Sequence, residues 1–531
     1  MPRRGPLLGL AAVVVTAVLV AGAAVGTGAW KPFGGGAGPG PRFVDEAVAS
    51  GLAFTYDGPF EYAAGGGVAA FDCDGDGRPE LYLAGGAGPA ALFHDDSPIG
   101  GALRFTRLPS PATDLTGVTG AYPIDVDGDG NVDLVVLRNG ENIVLRGLGG
   151  CRFQRANEAW GLAGGSYHTM AFAATWERGQ SWPTVAFGDY VDQSGPGGTA
   201  SCEPNELVRP VTAGGTTWGS PVALKGWCTQ SLLFSDWSRS GRADLRVSND
   251  RHYYRTTDGS EQLWRIDPGA APVAYTATDG WQVVQVEGMG IASYDLTGDG
   301  YPEVYLTSQA ANRLQTLANG SAQPIYQDIG ATRHVNVAHP FTGDVNLPST
   351  SWHPEFADVN NDGLVDLLVT KGNVTDQPDF AIKDPTDLLL SQPDGTFAEA
   401  ADAAGIVRFD RGRGAALVDL NLDGRLDLVE VFYGAPVGLW RNAGPVGGGD
   451  AGHWLELRLL QDGPNRDAIG SWIEVRFGST VIRREVTIGG GHASGQLGWI
   501  HVGLGSATTA QIRVQWPDGI WGPDQTVAAD G

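Results

Sequence analysis

Lysine and arginine are scarce in this chain, at 35 residues against 60 aspartates and glutamates, for a formal charge of −25. A phosphate backbone demands clustered cations, so nucleic acid is excluded as a partner. Cysteine is also scarce, with four residues and no Cys-x-x-Cys pair, which removes zinc and thioredoxin-like chemistry. The nine histidines form no ligand set, and His334 and His339 lie in a Pro- and Asn-containing stretch with no helix to align them. The segment Gly491-His492-Ala493-Ser494-Gly495 breaks the nucleophile-elbow spacing and reads as a turn between strands. No Arg-Gly-Asp occurs.

Glycine, by contrast, is abundant at 80 residues, yet it has no collagen period, and sixteen tryptophans exclude a low-complexity chain. Glycines punctuating short β-branched and aromatic runs predict an all-β fold with many tight turns. The N-terminus carries Arg3 and Arg4 and then an uncharged stretch, Leu7–Val25. That reads as an export signal with a small-residue cleavage site at Ala21-Gly22-Ala23, or as a retained membrane anchor, since the stretch is just long enough to span a bilayer. Either way the body of the protein, after a Gly/Pro linker over 30–41, is expected outside the cytoplasm. Four cysteines suit that oxidising setting and allow three pairings, of which Cys73–Cys151 with Cys202–Cys228 is preferred.

One nine-residue pattern recurs. Asp72, Asp74, Asp76 and Glu80 stand at positions 1, 3, 5 and 9 of the first copy, and Asp125, Asp127, Asp129 and Asp133 in the second. The others carry Asp295, Thr297, Asp299 and Glu303; Asp358, Asn360, Asp362 and Asp366; and Asp419, Asn421, Asp423 and Asp427. Position 6 is always glycine, and the position-7 residues Arg78, Asn131, Tyr301, Leu364 and Arg425 are counted with the site. Oxygen ligands at this spacing, with glycine at the sharp turn, are what a hard cation requires, so calcium is expected at about five sites. The loops hold seventeen carboxylates, four in each of the first two and three in each of the rest, and five calcium ions would leave a charge of about −15. Magnesium prefers a tighter octahedron with retained waters.

The first ligands fall at 72, 125, 295, 358 and 419, so the 170-residue gap after 125 has room for two more units. Degraded copies are read at Asp189 and at Asp236, where calcium binding is expected to be weak or absent. A second marker, Phe43…Ser50-Gly51-Leu52, returns at Phe153…Trp160-Gly161-Leu162 and Phe397…Ala404-Gly405-Ile406. Seven units of about 58 residues predict a seven-bladed β-propeller over 42–446.

These units resemble the FG-GAP (VCBS) repeats of integrin α-subunit propellers, in which calcium loops sit on blade hairpins. The residues after Gly447 resemble an ASPIC/UnbV domain through His453-Trp454-Leu455-Glu456-Leu457, Asn465–Gly470, Gly491–Gln496, His501–Gly505 and Val514–Gly519. The two modules in this order resemble the cartilage acidic protein family and its bacterial relatives. Five alternating strands, Trp454–Leu460, Ile473–Phe477, Val481–Ile488, Trp499–Leu504 and Gln511–Trp516, predict a small β-sandwich or barrel over 447–522 beside the ring, followed by a tail over 523–531. The expected function is a monomeric, non-enzymatic, extracellular scaffold that binds a protein or glycan. The alternative is a secreted enzyme, a polysaccharide lyase or a tailoring enzyme, with its site in the central channel and built from Ser194–Thr229 and Arg333–Pro354.

Overall fold

The computed structural model describes residues 39–192, 201–251, 259–318, 320–449 and 451–531. The chain is a β-propeller carrying a C-terminal β domain. The export segment Leu7–Val25 lies outside the described residues.

Among the described residues, seven sheets of four antiparallel strands each follow one another along the chain, the first widened by a fifth, parallel strand from the C-terminal domain. Their first strands are Val68–Phe71, Val118–Ile124, Thr169–Thr175, Thr229–Ser235, Gly288–Tyr294, Ser351–Ala357 and Arg411–Val418. Each packs against the next, and the last returns to the first, so these strands line a closed central channel. They are almost wholly buried, which explains why they read as short continuous apolar runs. The last sheet takes its fourth strand, Pro41–Asp45, from the N-terminal end of the ring, where it pairs with Gly438–Pro445. That closure removes two free sheet edges.

The recurrent Phe…Gly marker also has a physical origin. After the outer strands, one helical turn such as Asn157–Trp160 or Ala401–Ala404 ends on a left-handed residue. Gly161 and Gly405 have φ of 73° and 84°, values at which glycine avoids the Cβ clash. In the fifth sheet the same position is filled by His334 at φ 62°.

The third unit differs from the sequence reading. Its first strand is Thr169–Thr175, so its loop spans 176–183, and Asp189 ends the second strand instead of opening a loop. Asp189 is buried and accepts a hydrogen bond from the Thr169 hydroxyl. The loop over 176–183 has one acid, Glu177, and no repeated Asp-x-Asp spacing, so the acid at the buried strand end, Asp189, reads as the opening of the unit. Both preferred disulfides are present: Cys73–Cys151 ties loops of the first two sheets, and Cys202–Cys228 closes the insertion of the third.

The C-terminal domain has a four-stranded sheet of Trp472–Phe477, Thr480–Glu485, Thr509–Gln515 and Gln525–Ala528, with His453–Leu457 paired to Ile500–Gly505. Leu455, Ile473, Val475, Val502 and Leu504 form its core. Gln525–Ala528 is therefore part of the sheet, not a tail. The domain does not sit beside the ring; it lies across the face that carries the acidic loops.

Candidate metal loops and a filled channel

Each acidic loop leaves the inner strand of its sheet and is shaped by its own carboxylates. The position-1 residues Asp72, Asp125, Asp295, Asp358 and Asp419 accept the N–H of the position-6 glycine at 3.1, 3.0, 3.0, 2.8 and 2.6 Å. Those glycines have φ between 77° and 92°, which is why no other residue type appears there. The position-5 aspartates Asp76, Asp129, Asp299, Asp362 and Asp423 accept the N–H of Arg78, Asn131, Tyr301, Leu364 and Arg425. The position-7 residue thus takes part through its main chain, and the Arg78 and Arg425 side chains also pair with Asp76 and Asp423.

The position-9 acid has a second task that the spacing does not reveal. Asp133 accepts the N–H of Val126 and of Gly147, Asp366 those of Val359 and Ser391, and Asp427 those of Leu420 and Asn442. Each of these aspartates braces the loop to the third strand of its sheet. Glu80 braces Cys73 within its own loop, while Glu303 accepts the N–H of Leu296 and of Thr297 and, from the third strand of its sheet, the Thr316 hydroxyl at 2.6 Å.

Oxygens of Asp72, Asp74 and Glu80 lie within 4.8 Å of one another, as do those of Asp125, Asp127 and Asp133. Glu80 Oε1, Asp295 Oδ1 and Asn421 Oδ1 are buried with no hydrogen-bond partner. Buried acceptors without donors are costly, and a hard cation satisfies them. Burial pushes Glu80 and Glu303 up to about 8. The donor set fits calcium. In the first two loops a neighbour from the third strand adds a positive or polar partner: His94 Nε2 lies 3.0 Å from Asp74, and Arg146 lies 2.8 Å from both Asp127 and Asp129.

The loop at Asp236 keeps the frame without the ligands. Asp236 accepts from Ser240 and Gly241, but Ser238 and Ser240 bond to each other, and Asp244 is taken up by Trp237, Arg242, Tyr275 and Ile266. Among the histidines, His339 bonds to the Leu347 carbonyl, and His334 is a helix cap. Asn249 and Asp250 are buried, with Asp250 accepting from the Tyr190 hydroxyl at 2.6 Å.

The Gly489–Leu497 segment is no surface turn. It runs along the central channel of the ring. Ile488, Gly489, Gly491 and Ser494 bridge to Ala174, Leu233, Ile291 and Ala121, on the inner strands of the third, fourth, fifth and second sheets. Gly495–Leu497 then adds a parallel strand to Ala69–Phe71 of the first. His492 is fully buried; its Nε2 lies 2.5 Å from the Ala64 carbonyl, and its ring packs 5.1 Å from that of Trp352. Only small residues fit this contact. A Cβ on Gly491 would come within 2.5 Å of the His353 ring, and one on Gly67 or Gly120 within 1.8 or 2.3 Å of the Ala493 carbonyl oxygen. Sequence reasoning missed this role, although the run Gly489-Gly490-Gly491 was its visible sign.

Comparison with protein-family models matches the FG-GAP-like repeat at residues 72–136, 295–369 and 358–430, and ASPIC and UnbV at 461–529. The comparison with curated proteins returned no match. Among solved structures, an Agrocybe aegerita lectin that recognises non-reducing terminal N-acetylglucosamine is 16% identical over 71% of this chain and 80% of its own, with a TM-score of 0.30. AofleA from Arthrobotrys oligospora is 12% identical over 64% of this chain and 86% of its own, with a TM-score of 0.34. PorZ of Porphyromonas gingivalis is 10% identical over 87% of this chain and 58% of its own, with a TM-score of 0.41. Overlaps this loose carry no functional argument. The chain is a protein of FG-GAP-like repeats with a C-terminal ASPIC and UnbV domain.

Proposed function

We propose that this protein is an exported, calcium-stapled β-propeller that presents its rim and free face to a protein or glycan partner and performs no chemistry of its own. The observation that carries the metal reading is the set of buried, unpartnered oxygens on Glu80, Asp295 and Asn421 inside loops already bent to ligand geometry. Asp72, Asp74 and Glu80 would hold one ion, and Asp125, Asp127 and Asp133 a second. The loops at Asp295, Asp358 and Asp419 would hold the others. Two disulfides support an oxidising compartment, and no helix among the described residues is long and apolar enough to cross a membrane. An enzyme with its site along the channel would need that axis open, and Gly489–Leu497 lies along it.

The test is a calcium titration with metal analysis of the purified chain, followed by a calcium-dependent pull-down from the host's extracellular material. About five ions per chain and a recovered glycan or protein support the reading. Less than about one ion per chain, with an unchanged melting temperature in EDTA, refutes it.

A further inference from the structure

The sixth sheet buries a lysine that the metal loops do not require. Lys371 closes the second strand, Asp366–Lys371, at the end away from the acidic loop, and Asp387 opens the third strand, Asp387–Ser391. Val369 is paired with Asp387, so Lys371 lies two residues farther along, on the same face of the sheet. Asp384, from the connection between the two strands, completes the cluster. All three side chains are sealed from solvent.

Lys371 Nζ lies 2.9 Å from Asp387 Oδ2 and 3.2 Å from Asp384 Oδ1. The two carboxyls differ in their surroundings. Asp384 accepts the Ser349 hydroxyl at 2.9 Å and the N–H of Thr350 at 2.8 Å, donors that favour its ionised form. Asp387 Oδ2 is buried and accepts no directed hydrogen bond. Burial raises both acids, and Asp387 reaches about 7. Burial also works against the ammonium, but the two carboxylates outweigh it and hold Lys371 above its ordinary value. Protonation of Asp387 removes one of those two supports. The Phe341 ring, 5.7 Å from Nζ, adds an apolar wall. Charges held out of water are costly, and a neutral amide in their place removes that cost. An amine fixed against a carboxyl also makes the attack effectively unimolecular.

We infer that Lys371 and Asp387 join through a side-chain amide, with Asp384 as the proton carrier. The step starts from the ammonium, protonated Asp387 and ionised Asp384. Asp384 takes one proton from Nζ, and the freed lone pair attacks Cγ of Asp387. The N–C bond forms and the C–OH bond breaks. Asp384 gives its proton to the departing hydroxyl and takes the second proton that the nitrogen sheds. The products are a neutral amide, one water and protonated Asp384, and no other reactant is needed. No substrate is turned over and no metal ligand takes part, so the inference is independent of the calcium reading. The amide closes the connection over 372–386 into a covalent ring at the end of the sheet away from its acidic loop.

The experiment is a tryptic digest of the denatured, disulfide-reduced full chain, read by tandem mass spectrometry. An amide on Lys371 blocks cleavage there, while Lys383 stays open. The peptide ending at Lys383 should therefore be found joined to the one beginning at Asp384, lighter than their sum by one water, with fragments placing the link between Lys371 and Asp387. Cleavage after Lys371, with both peptides at their full sequence masses, overturns the inference and leaves a buried ion cluster. A link to Asp384 overturns the assigned roles. Asp384→Asn keeps the size of the proton carrier and removes its basicity. Digests taken at intervals after synthesis should show the link forming about a hundredfold more slowly or not at all. Formation at the parent rate overturns the role of Asp384. The parent digest decides the bond by itself, whether or not the variant folds.

Discussion

The main-chain N–H of His492 donates to Nδ1 of His353 at 3.0 Å, joining two residues 139 positions apart. His353 must then carry its proton on Nε2, which lies 3.4 Å from Glu355, and Glu355 in turn accepts from the Gln496 amide at 2.8 Å. One hydrogen-bonded circuit therefore begins and ends on the axial segment and passes through the sixth sheet. Ring and C-terminal domain share a core.

Chelation should lower the melting temperature, because ions that bind only the folded state stabilise it. At one hundred times the dissociation constant each site contributes about 2.7 kcal/mol, so several loops together shift the transition strongly. Calorimetry in calcium and in EDTA checks this; coincident curves would contradict it.

Asp366→Ala should be far more damaging than a surface charge deletion. It leaves the buried N–H groups of Val359 and Ser391 without acceptors. Each unsatisfied donor costs about 1–3 kcal/mol, and urea unfolding should register the loss even without metal. Asp394→Ala, at an exposed turn, serves as the control.

Gly491→Ala tests the packing of the axial segment. The added methyl meets the His353 ring at 2.5 Å on a residue with φ 58°. Overpacking of this kind costs about 1–3 kcal/mol, and exchange protection of 487–497 should fall before that of the inner strands. Equal protection in variant and parent would show that the segment is loosely held.

Removing Cys73–Cys151 should cost more than removing Cys202–Cys228. The first bond spans 78 residues and the second 26. Loop-closure entropy puts the difference at about 1 kcal/mol, to be read from paired Cys→Ser variants under denaturant.

His168 should make the fold acid-sensitive. It is buried with Nε2 unpartnered, and burial lowers it to about 4. The unfolded chain takes up this proton near pH 6.5 while the fold resists it, so the stability of the parent relative to His168→Phe should fall as pH drops from about 6.5 to about 4. The slope is about 1.4 kcal/mol per pH unit within that window. A pH-independent difference would mean that the imidazole protonates in place.

The sequence showed the acidic loops clearly because ligand spacing is local: oxygens two residues apart around a position-6 glycine belong to a single turn. The same locality exposed the first strands, whose burial on both faces leaves apolar runs such as Val68–Phe71. It failed at the third unit, where the loop over 176–183 holds none of the repeated acids and Asp189 offered a false marker at a strand end. It also failed at position 9, since the partners of Asp133, Asp366 and Asp427 sit on another strand.

Local chemistry in the chain by itself therefore determined the repeat, its carboxylate spacing, the all-β class and the two-module order. Tertiary structure alone decided where the second module goes. Gly489–Leu497 fits the channel because Gly67 and Gly120, hundreds of residues away, leave room for Ala493, and no local pattern records a space that exists only once the ring has closed.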